Sequence, residues 1–101
     1  IEKLIENAIY LHLKSQGFAV FVGQFRQMEI DFVAKKNEQT IYVQATYLLA
    51  SENTIEREFG NLQLIKDNYP KYVVSLDEFD MSRNGIKHRN IRDFLLADKW
   101  E

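Results

Sequence analysis

A carboxylate and an amide at matched positions of two neighbouring strands are the first chemistry this chain offers. Asp31 lies in the run Met28-Glu29-Ile30-Asp31-Phe32-Val33-Ala34, and Gln44 in Thr40-Ile41-Tyr42-Val43-Gln44-Ala45-Thr46. Both runs alternate in character, as strands with two unlike faces do. The alternation puts Glu29, Asp31 and Val33 on one face of the first strand and Ile30, Phe32 and Ala34 on the other. On the second, Ile41, Val43 and Ala45 oppose Tyr42, Gln44 and Thr46. The mostly polar stretch Lys35 to Gln39 between them is short enough for a hairpin. If the polar faces coincide, Asp31 and Gln44 stand side by side, and two such oxygens suit a hard cation. The plainer reading is a solvated open face of a hairpin. Glu6 is a third oxygen donor, at the rim of an apolar helical arc. Its plainer reading is an ordinary boundary glutamate.

A second grouping is basic. Arg83, Lys87, His88, Arg89 and Arg92 cluster near the end of the chain, a candidate patch for nucleic-acid phosphates. The alternative is a charged edge strand and helix start, where charge discourages mispairing. Net charge near −2 provides no global basic field, so nucleic-acid binding must come from a local patch. With no cysteine there is no disulfide framework, thiolate nucleophile or cysteine zinc site. Two histidines do not make a His-rich metal centre. No apolar run approaches the length of a membrane span and no secretory signal is present, so a cytoplasmic setting without membrane contact is expected.

The elements that must position these residues follow from periodicity. Residues 1–16 form an amphipathic helix, with Ile1, Leu4, Ile5, Ala8, Ile9, Leu11 and Leu13 on one broad arc. His12 lies near the centre of that arc and reads as a hydrogen-bonded core histidine. Gly17 ends the helix. Phe18 to Gly23 reads as a strand, joined through Gln24 to Gln27 to the strand at 28–34. Three strands on short turns make an antiparallel meander. Ser51 caps a helix over about 52–68, with Ile55, Phe59, Leu62, Ile65 and Tyr69 as its apolar stripe and Glu56-Arg57-Glu58 as a solvated face. Asn68 and Pro70 stop it. Tyr72 to Leu76 is an interior strand, parallel to the third because a right-handed crossover helix joins them. A turn at Asn84-Gly85 leads to a polar edge strand, Ile86 to Arg89, and Asn90 caps a last helix, Ile91 to Ala97. The expectation is one α/β domain over 1–101 with a mixed sheet. A chain that opens at Ile1 and enters a helix without a lead-in reads as a piece of a longer protein.

The order α-β-β-β-α-β, then a short strand and a C-terminal helix, is similar to the core of the restriction-endonuclease-like nucleases. In that family an acid on the first helix, an Asp on the second strand and a Glu-x-Lys on the third build a divalent-metal site. Glu6, Asp31 and Gln44-Ala45-Thr46 occupy the corresponding positions here. Several stretches more closely resemble a bacterial and archaeal domain of unknown function that follows an AAA-type ATPase module in one chain. They are Glu29-Ile30-Asp31-Phe32-Val33, Ile41-Tyr42-Val43-Gln44, Arg57-Glu58-Phe59-Gly60-Asn61-Leu62, Ile65 to Val73, Ser75-Leu76-Asp77-Glu78 and Gly85-Ile86-Lys87-His88. The resemblance spans nearly all of the chain, most specifically from Arg57 to Tyr72. It implies an N-terminal P-loop ATPase as partner in the same polypeptide. No G-x-x-x-x-G-K-[ST] occurs here, so ATP is expected only in that other part.

The departures from the nuclease pattern bear on mechanism. Gln44 in place of Glu loses a negative charge at the Mg²⁺ position, and Thr46 in place of Lys loses the cation beside the attacked phosphate. Single losses of such groups cost about 3 kcal/mol, or 10²–10³ in rate. Three functions stand against one another. The first is an accessory domain with a degenerate site that binds a partner or DNA for its ATPase. The second is a Mg²⁺-dependent DNA endonuclease using Glu6, Asp31 and Gln44. The third is a structural or homo-oligomerisation module.

Overall fold

A computed structural model describes residues 1–97; the last four positions of the expected 1–101 domain lie outside the described residues. A five-stranded mixed sheet runs in the order β1-β2-β3-β4-β5. The strands are β1 (Ala19–Phe25), β2 (Met28–Lys36), β3 (Gln39–Ala45), β4 (Lys71–Ser75) and β5 (Lys87–Asn90). β1, β2 and β3 form the antiparallel meander, while β3, β4 and β5 are mutually parallel. The three helices are α1 (Glu2–Ser15), α2 (Glu52–Gln63) and α3 (Ile91–Leu96).

Both sheet faces are covered. Ile5, Ile9 and Leu13 of α1 and Phe94 of α3 bury against Phe32, Ala34, Ile41, Val43, Tyr72 and Val74. On the other face Ile55, Phe59 and Leu62 of α2 meet Ile30, Val73 and Ile86. Such two-sided burial explains why β4 is apolar throughout its middle, as expected of a parallel interior strand. The caps also sit where the sequence puts them. Ser51 accepts the Thr54 amide at 3.2 Å, and Asn90 accepts the Arg92 amide at 2.8 Å. Asn84 and Gly85, both at positive φ, turn the chain between Arg83 and Ile86.

Five expectations need correction. The connections are tighter than read: Arg26-Gln27 and Asn37-Glu38 alone make the turns, each with a left-handed first residue. The α2 helix ends at Gln63, not near 68. Beyond it the Asp67 carboxylate accepts the Tyr69 amide, the Tyr42 hydroxyl and the Lys71 ammonium, and this local bonding holds a turn where a helix would otherwise continue. The buried stripe of α1 is narrower than the seven-residue arc: Ile1, Leu4 and Leu11 face outward. His12 is only partly buried, its ring edge-on to Phe94 between α1 and α3. The fifth concerns β2 itself. Two of its residues, Asp31 and Phe32, lie opposite the single Val22 of β1, between the pairs Phe21↔Val33 and Gly23↔Ile30. This bulge reverses the alternation, so Ile30 joins the α2 face while Phe32 and Ala34 stay under α1.

Candidate functional site

The bulge is what aims Asp31. The β2–β3 ladder ends at the pair Phe32↔Val43, and beyond it the two strands are joined by side chains. The Asp31 amide donates to Gln44 Oε1 at 2.7 Å, and the Ala45 amide donates to Asp31 Oδ2 at 2.8 Å. Asp31 and Gln44 are therefore neighbours, as the expected register requires. Each spends a principal oxygen on the backbone of the opposite strand. Gln44 is buried and Asp31 partly so.

Thr46, next along from β3, is also buried. Its hydroxyl donates to Glu2 Oε2 at 3.0 Å, and the Tyr47 amide donates to the same oxygen at 3.1 Å. The first turn of α1 thus reaches the splayed end of the hairpin through Glu2, a residue that no motif or spacing singles out. Glu6 acts on Asp31 through its charge. Burial pushes the Asp31 carboxyl above its ordinary range, the Ala45 amide opposes this, and Glu6, Glu29 and Glu2 push it further up.

Glu58 is the larger omission. It lies on the buried stripe of α2 between Ile55 and Leu62, not on a solvated face. Its spacing from Ile55 and Leu62, three and four residues, is the signal that could have found it. Its carboxylate accepts from Arg57 Nε at 3.2 Å. Burial raises its pKa, the Arg57 bond lowers it, and the charge of Asp31 raises it again. Glu2, Glu6, Asp31 and Glu58 thus come together electrostatically at one end of the sheet. Among the described residues, no three His, Asp or Glu side chains converge into a cage for a metal ion.

The Glu58 environment gives a signed prediction. A carboxyl with a raised folded pKa contributes stability at pH below its ordinary value. That contribution is lost as pH climbs through the folded value, so ionised Glu58 weakens the fold at neutral pH. Glu58→Gln keeps an oxygen for Arg57 and should raise the melting temperature at pH 7 by a few degrees, with little change at pH 4. Thermal melts at the two pH values read this directly.

No family model matches the chain. An uncharacterized protein of Haemophilus influenzae is 36 % identical over 93 residues, which covers 91 % of this chain and 22 % of that protein. The chain therefore spans about a fifth of the length of the relative it matches. No solved structure matches.

The basic residues do not form one surface. Lys87 Nζ and the Arg89 guanidinium stack on Tyr72, 5.9 and 5.8 Å from its centroid, on the α1/α3 face. Arg83 stacks on Phe59 at 5.5 Å, on the α2 face. Arg92 pairs with Glu78 at 3.6 Å, both exposed. His88 is buried and leaves the patch altogether. Alternation along β5 takes His88 to the opposite face from Lys87 and Arg89, and Arg83 lies in the turn before that strand, against α2. What remains is Lys87, Arg89 and Arg92 on one side and Arg83 alone on the other. No helix among the described residues is long and apolar enough to cross a membrane.

Proposed function

We propose that this chain is an accessory domain of a larger AAA-type ATPase. In this reading it has a restriction-endonuclease-like fold with a dismantled metal centre and docks a partner or nucleic acid in the cytoplasm. The observation that carries this reading is the use of the polar oxygens at the hairpin end. Gln44 Oε1 is taken by the Asp31 amide, Asp31 Oδ2 by the Ala45 amide, and the Thr46 hydroxyl by Glu2. A Mg²⁺ site needs several convergent anionic oxygens free to leave water behind. Gln44 brings no charge to such a site, and the oxygens named here stitch two strands and a helix together. The element order, the parallel β3–β4 pair and the nearness of Asp31 to Gln44 support descent from a nuclease framework. The 22 % coverage of the Haemophilus influenzae relative leaves ample length for an ATPase module.

The test has two parts. Plasmid and branched DNA incubated with this chain in Mg²⁺ or Mn²⁺ should remain intact. Cleavage that disappears in Asp31→Ala would overturn the degenerate-site reading. The full-length protein should hydrolyse ATP and this chain alone should not; a full-length protein inert toward ATP removes the ATPase half.

The endonuclease reading has one specific observation behind it. Carboxylates crowd the hairpin end, and after burial it is the charge of Glu6, Glu29 and Glu2 that raises Asp31. The same assay decides between the two readings.

If nucleic acid is the partner, the remaining patch should carry it. Arg89→Glu with Arg92→Glu should weaken DNA binding roughly tenfold or more and flatten its salt dependence, since each lost phosphate contact lowers the slope by about 0.9. Arg83→Glu, on the opposite face, should leave both quantities unchanged. Fluorescence anisotropy over a salt series measures them together.

A further inference from the structure

The two edges of the sheet are unlike. β5 ends it with Lys87 and Arg89, side chains that discourage pairing with another strand. β1 ends it with Ala-Val-Phe-Val-Gly-Gln-Phe, seven residues without a charge or a proline. Phe21 is 54 % exposed and Val22 69 %. The α2 layer does not shield Phe21, since it packs on β2 and β4, and Val22 on the opposite face stays exposed although α1 touches β1.

The backbone of β1 is also open. The two-residue turn at Arg26-Gln27 makes Phe25↔Met28 the closing hydrogen-bonded pair, so Phe25, Gly23, Phe21 and Ala19 bond inward to β2. Val20, Val22 and Gln24 therefore aim their N–H and C=O groups outward, a row of open donors and acceptors. The bulge lies on β2, so this outward alternation runs unbroken through β1.

We propose that β1 is a self-pairing edge: two copies of this chain join antiparallel through β1 about a twofold axis at Val22, making one continuous sheet. Three features select a second copy as the occupant. Val22 is the midpoint of the seven-residue strand, so a twofold axis there uses its whole length and pairs Val20 with Gln24 of the other copy in both directions. The strand is uncharged, so self-pairing brings no like charges face to face along it. The same register sets Phe21 opposite Gly23 of the other copy. Gly23 is obligatory for its own sheet, because a Cβ there would lie 2.5 Å from Val33 Cγ2. Val33 thus fills the space over the glycine, and the Phe21 ring of the other copy would extend that apolar contact across the strand gap, aromatic against β-branched side chain.

Sedimentation velocity and hydrogen exchange over a concentration series test this. The chain should dimerise, with the Val20, Val22 and Gln24 amides gaining protection as the dimer fills. Val22→Lys sets two ammonium groups opposite each other across the axis and should weaken self-association about tenfold or more; Val22→Glu should do the same. An equimolar mixture of the two variants should associate as heterodimer, since the charges then oppose. Val22 is exposed, so circular dichroism of both variants should match the parent chain. A chain that stays monomeric at the highest concentration, a dimer indifferent to Val22→Lys, or variants that fail to rescue each other would overturn the proposal. So would a full-length protein that is monomeric with those three amides already protected, because its own chain would then occupy the edge.

Discussion

Asp77→Ala is expected to cost roughly 3 kcal/mol of folding free energy, because two donors at the end of the parallel strands lose their acceptor together. Asp77 Oδ2 accepts the Leu49 amide at 2.7 Å and the Ser75 hydroxyl at 2.7 Å. Ser75 has no solvent exposure, so its hydroxyl cannot turn to water. Ser75 Oγ lies 2.7 Å from His88 Nε2, and His88 Nδ1 accepts the Met81 amide at 3.1 Å. An Nδ1 that accepts leaves the proton on Nε2, so the chain of donation runs Met81 to His88 to Ser75 to Asp77. It is the reverse of what a catalytic serine needs, since this histidine cannot take the serine proton. The network instead ties β4 and β5 to the loop before α2 and to the 77–82 segment. Asp77→Asn keeps one acceptor oxygen and should cost less than half as much. Urea unfolding of the two variants gives the comparison.

The same network makes the fold acid-sensitive. Burial pushes His88 below its ordinary value of 6.5, with Asp77, Asp80 and a backbone hydrogen bond to Phe79 pulling it back up and Arg89 pushing it down. The unfolded chain therefore binds the proton more readily than the folded one. The His88 contribution to stability is complete above pH 6.5 and is lost as pH falls from there toward the folded value. His88→Gln should flatten the stability profile through this window.

Most of the architecture was legible because it is written in local signals. Ser51 and Asn90 are capping residues with an apolar run behind them, and Asn84-Gly85 is the dipeptide a left-handed turn requires. The alternation of Thr40 to Ala45 survives unchanged in β3. The candidate site was less legible, because tertiary geometry decides it. Nothing in Glu29-Ile30-Asp31-Phe32 marks a bulge: none of these residues is glycine, and an alternating run reads the same with one residue slipped. Yet that slip moves Ile30 to the α2 face and turns Asp31 toward Ala45. Glu58 was hidden by its charged neighbours, although its place in the stripe of Ile55, Phe59 and Leu62 was available. Leu4 and Leu11 erred the other way. Their hydrophobicity argued for burial, but α1 rests on the sheet along only Ile5, Ile9 and Leu13.

Gln44→Glu should convert the hairpin end from a self-contained knot into one that requires a cation. The new carboxylate would still accept the Asp31 amide, as Gln44 Oε1 does at 2.7 Å. It would also add a further negative charge to a neighbourhood where Glu6, Glu29 and Glu2 already raise Asp31. A buried unpaired charge costs several kcal/mol, so this variant should melt well below the parent chain in EDTA. Mg²⁺ or Mn²⁺ should recover most of that loss, while the parent chain should show no metal response. Adding Thr46→Lys supplies a cation beside Glu2, whose Oε2 the Thr46 hydroxyl now contacts at 3.0 Å. The double variant should therefore be stable without metal, because the introduced ammonium neutralises part of the cluster. It should also regain metal-dependent DNA cleavage if the framework is that of a nuclease, since each restored group is worth about 10²–10³ in rate. Metal-dependent melting of Gln44→Glu without any cleavage by the double variant would mean that the hairpin end can hold a cation but was never shaped around a phosphate. No metal response in either variant would remove the nuclease framework, and the acidic end would then be a purely structural junction of α1, β2, β3 and α2.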